Sequence, residues 1–180
     1  LGLVDLEVRA KGDVLFWDIC EKVLESAQIG GLATEEFEQL RRNLAKKYLC
    51  NFSIFRSMPD SWAINQHFPV MPIHKLNEPP TDYATLVDVT CDSDGKIDRF
   101  VESGEEKCTL TLHDWQPGSE YLIGLFLGGA YQDVMGNHHN LFGHPNEVHV
   151  QINGPGEYSV KEIVCGSQIR NMLDFANYQQ

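Results

Sequence analysis

Two polar residues at the end of an apolar run are the first candidates for chemistry in this sequence. The run "TLVDVTCDSDG" alternates apolar residues and then reaches Cys91 and Asp92. A thiol beside a carboxylate could act as a proton donor. The same stretch would also form a tight polar turn, because Asp92, Asp94 and Gly95 all favour turns. Local sequence favours the turn interpretation and leaves the functional one open.

A glycine-rich stretch, "LGGAYQDVMGNHHNLFGH", holds the next candidates. Tyr131 follows two glycines and an alanine, so its hydroxyl could reach into a cleft; the alternative is a core tyrosine with one satisfied hydrogen bond. His138, His139 and His144 invite a metal-site interpretation, but their spacing matches no zinc motif such as HExxH. We therefore predict no metal site and expect solvated or packed histidines.

A third stretch, "SMPDSWAINQHF", carries the carboxylate of Asp60. The proline before it indicates a turn, and Asp60 taken alone fits a turn or helix-cap residue better than a ligand. Trp62 and Phe68 in the same stretch are expected to be packing residues.

Composition narrows the class of protein. The chain has 180 residues, 42% of them hydrophobic, and a net charge of -12. No basic stripe with interleaved aromatic residues occurs, which argues against nucleic-acid binding. No signal peptide or membrane-spanning apolar run is visible, and the start without methionine indicates a piece of a longer protein. Five cysteines with no CxxC pair predict free thiols and a cytoplasmic location.

The first fifty residues predict two helices that pair antiparallel. Residues 13–28 place apolar side chains on one helical stripe, with Asp13 as the N-cap and Gly30 and Gly31 as the stop signal. A second helix is expected after Thr34, with an apolar stripe that continues to Leu49.

After Cys50 the pattern changes to extended chain and then to strands. Prolines at 69, 72, 79 and 80 exclude a helix there. From Tyr83 onward apolar residues occupy every second position, which indicates β-strands. The stretch "NGPGE" predicts a hairpin turn, and residues 169–178 predict a closing helix. The predicted fold class is α+β: an N-terminal helical hairpin, an antiparallel β-sandwich or barrel, and a short C-terminal helix. We predict two domains, a helical segment over 1–50 and a β-domain over 51–180.

Three long segments, in order, resemble the C-terminal region of the biosynthetic arginine decarboxylases. They are "NFSIFRSMPDSWAINQHFPVMPIHKL", "TLVDVTCDSDGKID" and "GLFLGGAYQDVMGNHHNLFG", within about residues 48–150. That family belongs to the alanine-racemase-like, fold-type III enzymes that depend on pyridoxal phosphate (PLP). The resemblance implies the conversion of L-arginine to agmatine and carbon dioxide, a step of polyamine and spermidine biosynthesis.

The resemblance also implies roles for individual residues. Cys91 would be the proton donor, reaching across a dimer interface into the partner's site. Asp92 would bind the guanidinium end of arginine, with Asp60 as a weaker second carboxylate. Tyr131 matches the family's Gly-Ala-Tyr tyrosine, which contacts the PLP phosphate. His139 stands where related enzymes have an aromatic residue and is predicted as an interface residue.

Parts of the family's enzyme are missing from this sequence. No Tyr-x-x-Lys-x-Asn motif for the PLP lysine occurs, and neither does the glycine-rich phosphate loop of the N-terminal (β/α)8 barrel. The resemblance therefore implies a barrel domain of the same enzyme as a partner, a homodimer or larger homo-oligomer, and PLP as cofactor; it also allows for magnesium. The chain alone is expected to be inactive.

Two other hypotheses stay open. The chain could be a non-catalytic regulatory or binding module derived from the same family, although Cys91, Asp92 and Tyr131 are all present. A carbohydrate-binding β-sandwich is disfavoured, because the three tryptophans form no stacking platform at strand spacing. They are Trp17, Trp62 and Trp115.

Overall fold

The computed structural model of the chain describes residues 2–32 and 34–178 and has an α+β architecture, as predicted. The helices are α1 (Leu6–Ile29), α2 (Glu35–Leu44), α3 (Ile54–Ser57), α4 (Pro59–Ala63), α5 (Ala130–Met135) and α6 (Ile169–Phe175), with a 3-10 turn at His139–Leu141. The strands are β1 (Lys46–Leu49), β2 (Val70–Pro72), β3 (Asp82–Val87), β4 (Lys96–Ile97), β5 (Phe100–Glu102), β6 (Glu105–Lys107), β7 (Leu110–Leu112), β8 (Ile123–Leu125), β9 (Glu147–Gly154) and β10 (Glu157–Val164).

Helix α1 begins earlier than the sequence pattern predicted. Asp5 is its N-cap, and the backbone N–H of Val8 donates to the Asp5 carboxylate over 2.8 Å. Asp13 therefore lies inside the helix, and the prediction of Asp13 as the cap is wrong, because the earlier aspartate already satisfies a free N–H of the first turn. The predicted stop is correct: the helix ends at Gly30, and Gly31 has a φ of +65°.

Helix α2 starts after Thr34 as predicted but ends sooner than its apolar stripe suggested. Ala45 leaves the helical conformation, and Lys46–Leu49 extend as β1. Tyr48 does not continue a helical stripe, because its hydroxyl is bonded to the sheet: it donates to the carboxylate of Asp82 (3.0 Å) or the carbonyl of His113 (2.7 Å). The predicted antiparallel packing of α1 on α2 and the domain limits 1–50 and 51–180 stay predictions.

Strand β3 is the centre of the main sheet. It pairs parallel with β1 and antiparallel with β4 and β7. The predicted sheet was wholly antiparallel, so the β1 pairing corrects it. A parallel pair needs a long crossover, and here the segment with α3, α4 and β2 provides one. The other strands form three two-stranded sheets, and across residues 2–32 and 34–178 the strands form no closed barrel.

The hydrophobic core lies between this sheet and α3. Its most buried members include Ile54, Leu86 and Leu112, each at most 2% exposed. The predicted "NGPGE" hairpin joins β9 to β10, and Gly156 in the turn has a φ of +75°. The C-terminal helix begins at Ile169 as predicted. None of the helices in the described part of the chain combines the length and the apolar character needed to cross a bilayer.

Candidate functional site

Helix α3 is the short element around which the predicted site residues are arranged. Ile54, Phe55 and Arg56 on it are all buried. Its first N–H group, at Ile54, points to the β3–β4 loop that carries Cys91. The guanidinium of Arg56 points to the C-terminal end of α5, the helix that carries Tyr131. One buried turn of helix thus supports both predicted reactive side chains.

Cys91 lies at the surface, in the loop that follows β3. Its thiol is free and exposed. The amide N–H of Asn140 donates to Sγ of Cys91 over 3.4 Å. Asn140 and Leu141 both have a positive φ, 56° and 60°, so the chain is bent sharply where it meets the thiol.

Asp92 shapes the turn of the same loop and keeps its side chain in solvent. Its carboxylate accepts a hydrogen bond from the N–H of Asp94 over 2.9 Å, and its carbonyl accepts one from Gly95 over 3.0 Å. The turn interpretation of "CDSDG" is therefore correct for the backbone. It does not exclude chemistry, because the thiol of Cys91 and the carboxylate of Asp92 both stay exposed.

Tyr131 stands on α5, and the residue is 75% exposed. The alternative of a core tyrosine is therefore wrong. A Cβ added to Gly128 or Gly129, just before the helix, would meet no atom within 4 Å. The hydroxyl of Tyr131 and the backbone before it thus face open space that a ligand or another domain could occupy.

Arg56 attaches α5 to α3. Its Nη1 lies 3.1 Å from the carbonyl of Asp133 and 3.4 Å from that of Gly136, near the end of α5. The carbonyls at the C-terminus of a helix lack partners inside the helix, so a guanidinium is a suitable donor for them. Gly136 fits tightly here: a Cβ on it would lie 2.0 Å from the carbonyl oxygen of Arg56.

His144 completes this anchor on the other side of Arg56. The guanidinium Nη2 contacts Nε2 of His144, which must accept because the guanidinium only donates. Burial, together with the nearby Arg56 charge, holds the pKa of His144 below its usual value. The negative charges of Glu147 and Asp133 raise the pKa, but by less. The contact with Arg56 therefore fits the neutral form of His144 with its proton on Nδ1, the nitrogen that lies 3.6 Å from the carboxylate of Glu147.

Asp133, His144 and Glu147 form a group whose ligand atoms lie within 4.8 Å of one another. Such a group could hold a cation on geometry alone. The guanidinium of Arg56 is in contact with His144, however, and a fixed positive charge at this distance opposes a metal ion. The cluster is better explained as part of the anchor of α5.

Asp60 is partly buried and is paired with the residue after Tyr131. The amide of Gln132 donates to the Asp60 carboxylate over 2.6 Å, and the N–H of Asp60 donates back to Gln132 over 3.2 Å. Gln132 itself is only 5% exposed. Asp60 and Asp92 thus each use one carboxylate oxygen in a hydrogen bond within the chain, and they differ in that Asp92 is exposed whereas Asp60 is partly buried.

His139 packs against the core instead of facing solvent. Its ring centroid lies 4.5 Å from that of Phe55 on α3. The next residue, Asn140, is the one in contact with Cys91. His139 therefore helps to place Asn140 against the Cys91 loop.

A cavity of about 830 Å³ lies elsewhere and contains none of the predicted site residues. Its lining includes Tyr48, Cys50 and Trp115. Burial raises the pKa of Cys50 to about 11, so this thiol stays protonated. Cys50 is a packing residue, in contrast to the exposed Cys91.

Four residues whose hydrogen bonds hold the candidate site together were not predicted from the sequence. They are Arg56, Asp88, Gln132 and Asn140. A signal existed for Asp88, whose carboxylate accepts the N–H of Ile54: it directly follows β3 and continues the alternation of Ala84 and Leu86, so a carboxylate occupies a core position. The other three gave no signal, because their partners are distant in sequence.

The described hydrogen bonds join Cys91 to Asn140 and Asp60 to Gln132, but none joins Cys91 or Asp92 to Tyr131. The structure thus connects both segments to α3, without a direct hydrogen bond between their predicted reactive side chains in the described residues. The chemical roles of these residues stay predictions.

Comparison with known proteins identifies relatives among the decarboxylases. The relatives are biosynthetic arginine decarboxylases: the enzyme of Nostoc sp. is 46% identical over 178 residues, covering 99% of this chain and 26% of the relative. That of Deinococcus radiodurans is 46% identical over 181 residues, covering 100% and 27%. That of Bacteroides thetaiotaomicron is 46% identical over 179 residues, covering 98% and 28%. No family model matches.

A solved structure agrees with these relatives. The crystal structure of the biosynthetic arginine decarboxylase SpeA from Campylobacter jejuni matches with a TM-score of 0.57 and 36% identity, over 90% of this chain and 29% of that one. The resemblance inferred from the three segments is therefore confirmed, and it extends over nearly the whole chain. The chain spans about 27% of the length of the curated relatives it matches.

Proposed function

We propose that this chain is the C-terminal part of a PLP-dependent arginine decarboxylase, which converts L-arginine to agmatine and carbon dioxide in polyamine biosynthesis. The observation that carries the proposal is the 46% identity to such enzymes along 99% of the chain. The exposure of Cys91, Asp92 and Tyr131 around one buried helix supports it, since buried side chains could not serve a site shared with another domain.

Cys91 is the proposed proton donor. Once carbon dioxide has left, a proton must reach the α-carbon of the substrate, and a positioned thiol can supply it. The sulfur that remains is negatively charged, and the amide N–H of Asn140, 3.4 Å away, is placed to donate to it. A donor to the charged form lowers the free-energy cost of releasing the proton.

Asp92 is the proposed partner of the substrate guanidinium. A carboxylate can bind a planar guanidinium through two parallel hydrogen bonds, which requires access to both oxygens. Both carboxylates accept one hydrogen bond within the chain, from Asp94 and from Gln132, but Asp92 is exposed whereas Asp60 is partly buried. We assign Asp60 a secondary role near the same end of the substrate.

Tyr131 is the proposed contact to the PLP phosphate. PLP, when bound, supplies the electron sink that decarboxylation needs. The residues present fit this group. Tyr131 is 75% exposed and offers a phenol hydroxyl, and the two glycines shortly before it have open space at their Cα atoms. The hydroxyl would donate a hydrogen bond to a phosphate oxygen. The lysine that binds PLP is expected on the barrel domain outside this chain.

The remaining part of the polypeptide is also expected to complete the fold. Within residues 2–32 and 34–178, strand β1 pairs with β3 alone and leaves its other edge free, and the β9–β10 hairpin is largely exposed on both faces. We propose that strands of the rest of the enzyme close these edges into the predicted sandwich or barrel. We further propose a homodimer, with His139 near the interface, and a cytoplasmic enzyme, since all five cysteines are free.

The test uses the full-length protein. With PLP it should release carbon dioxide and agmatine from arginine, and it should act on ornithine, lysine and diaminopimelate much more slowly. The isolated 180-residue chain with added PLP is the control and should release nothing, because no lysine of the family's PLP motif is present. A full-length protein that binds arginine but decarboxylates none of these amino acids would instead support the regulatory-module hypothesis.

A further inference from the structure

Asp88 is a buried carboxylate directly after the central strand β3. It is 6% exposed, and it continues the alternation of the core residues Ala84 and Leu86 one residue beyond the end of the strand. No lysine, arginine or histidine side chain is paired with it in the described residues. A buried charge without a counterion is costly unless hydrogen bonds satisfy it, so its hydrogen-bond partners must hold it firmly.

Those partners lie on two different elements. One carboxylate oxygen accepts from the backbone N–H of Thr90 over 2.9 Å and from its hydroxyl over 2.8 Å. The other accepts from the N–H of Ile54 over 3.0 Å, at the start of α3. Asp88 thus joins the residue before Cys91 to the buried helix that also supports α5.

The far end of the loop closes on the same side chain. The N–H of Asp88 donates to the carbonyl of Gly95 over 2.8 Å. A Cβ on Gly95 would lie 2.0 Å from Oδ1 and 2.6 Å from Cγ of Asp88. Both ends of the loop, Thr90 and Gly95, are therefore packed on one carboxylate, and Cys91 and Asp92 lie between them.

We propose that Asp88 is the positioning residue of this enzyme: it fixes the Cys91 loop on α3 and so determines where the Cys91 thiol delivers its proton. The proposal rests on the proposed function. Asp88 does not reach the loop tip itself; it acts through Thr90 and Gly95. Its role requires both oxygens as acceptors, which an asparagine cannot supply.

The main test is Asp88→Asn in the full-length protein, with Asp82→Asn as the matched control. Asp82 begins the same strand, and its carboxylate is also bonded, to Lys46 and Tyr48, but away from the loop. In Asp88→Asn the amide NH2 group would face either the N–H of Ile54 or that of Thr90, and one of these hydrogen bonds would be lost. Amide hydrogen exchange in residues 89–95 should therefore rise about tenfold or more, with α6 unchanged. Asp82→Asn should leave exchange in residues 89–95 at the wild-type rate.

Turnover gives the second readout. Asp88→Asn should lower kcat for arginine on the order of 10- to 100-fold while KM changes little, because a misplaced donor affects proton delivery more than binding. Asp82→Asn should keep wild-type kcat even if it lowers the melting temperature. Equal kcat losses in the two variants would mean that Asp88 acts only through stability and would overturn the proposal.

Thr90→Val is the milder variant for the case in which Asp88→Asn does not fold. It removes the hydroxyl that donates to Asp88 and that also accepts from the N–H of Asp92 over 3.3 Å. Exchange is therefore read at the loop amides other than Asp92, and exchange and kcat should shift in the same direction as in Asp88→Asn, by about threefold. Unchanged loop exchange in Thr90→Val and in Asp88→Asn would overturn the proposal. If the wild-type protein decarboxylates nothing, the proposed function fails, and the exchange measurement still decides whether Asp88 holds the loop.

Discussion

The Cys91 loop and the Tyr131 helix are both held on α3, but by opposite charges. A carboxylate, Asp88, accepts N–H and O–H groups from the loop and from α3. A guanidinium, Arg56, donates to the carbonyls at the end of α5. Each anchor is at least nine-tenths buried, whereas Cys91 and Tyr131 are exposed.

The difference lies in what else each anchor contacts. The helix anchor is Arg56, which holds α5, and a histidine, His144, is in contact with it. The loop anchor is Asp88, which holds the Cys91 loop, and its hydrogen-bond partners include no histidine. Acid should therefore loosen the helix that carries Tyr131 by protonating His144, a change that has no counterpart at a histidine on the Asp88 side. The two anchors also predict different consequences of mutation. Changes in the Cys91 loop should lower turnover, whereas changes around Arg56 and α5 should lower the free energy of unfolding.

The largest effect is expected on the loop side, at the thiol itself. Cys91→Ala in the full-length enzyme should lower turnover of arginine on the order of 10²- to 10⁴-fold, because a general acid typically contributes that much. Arginine binding should change far less, since the thiol acts after decarboxylation. Steady-state kinetics measures both. Cys165→Ala, at another exposed and free cysteine, is the control and should keep wild-type turnover.

The helix side can be tested with a matched pair of glycines. Gly136→Ala places a Cβ 2.0 Å from the carbonyl oxygen of Arg56, and this overpacking should lower the free energy of unfolding by about 1–3 kcal/mol. Gly12→Ala lies within α1 with no atom within 4 Å of the new Cβ, and it should raise the free energy of unfolding by about 0.5–1 kcal/mol. Denaturant unfolding measures both. The same sign for the two variants would contradict the tight packing at Arg56.

The smallest effect concerns acid. Because the pKa of His144 in the folded protein lies below its unfolded value near 6.5, the unfolded state binds the proton more readily. The contribution of His144 to stability is therefore complete above pH 6.5 and falls as the pH falls through this value towards the folded pKa. His144→Gln should remove that part of the pH dependence in unfolding experiments between pH 7 and 5. A wild-type slope in this variant would assign the acid sensitivity to other groups.

Much of the scaffold could be predicted because its signals are local. The hairpin before Tyr158, the helix after Thr34 and the period of β3 all depend on neighbouring residues. The parallel partner of β3 could not be predicted. Its strand, Lys46–Leu49, is separated from β3 by more than thirty residues, and its apolar residues have the spacing expected of a helix. Sequence pattern does not record such distant pairing.

The candidate site divides in the same way. Cys91, Asp92 and Tyr131 could be selected from residue type and from the family resemblance. The residues that hold them in place could not be selected in this way. Asn140 contacts Cys91 because its backbone has a positive φ, and Arg56 contacts Asp133, which is 77 residues away in the sequence. Buried Asp88 is the exception, since its place on an apolar strand face is visible in the sequence.

The central proposal is that, in the assembled enzyme, Cys91 would serve an active site whose PLP lysine belongs to the partner subunit. A two-fold dimer would place the same surface of each subunit at the interface. The direct test mixes full-length Cys91→Ala protein with a full-length variant that lacks the PLP lysine of the barrel. Each homodimer should be nearly inactive.

In a mixed dimer, one site contains both defects and the other contains neither, if the lysine and Cys91 come from different chains. Random exchange makes half of the dimers mixed, each with one intact site, so activity should return to about a quarter of wild type. Exchange itself can be followed by mass spectrometry of tagged subunits. No recovery of activity after demonstrated exchange would mean that the lysine and Cys91 act within one chain, and it would contradict the claim.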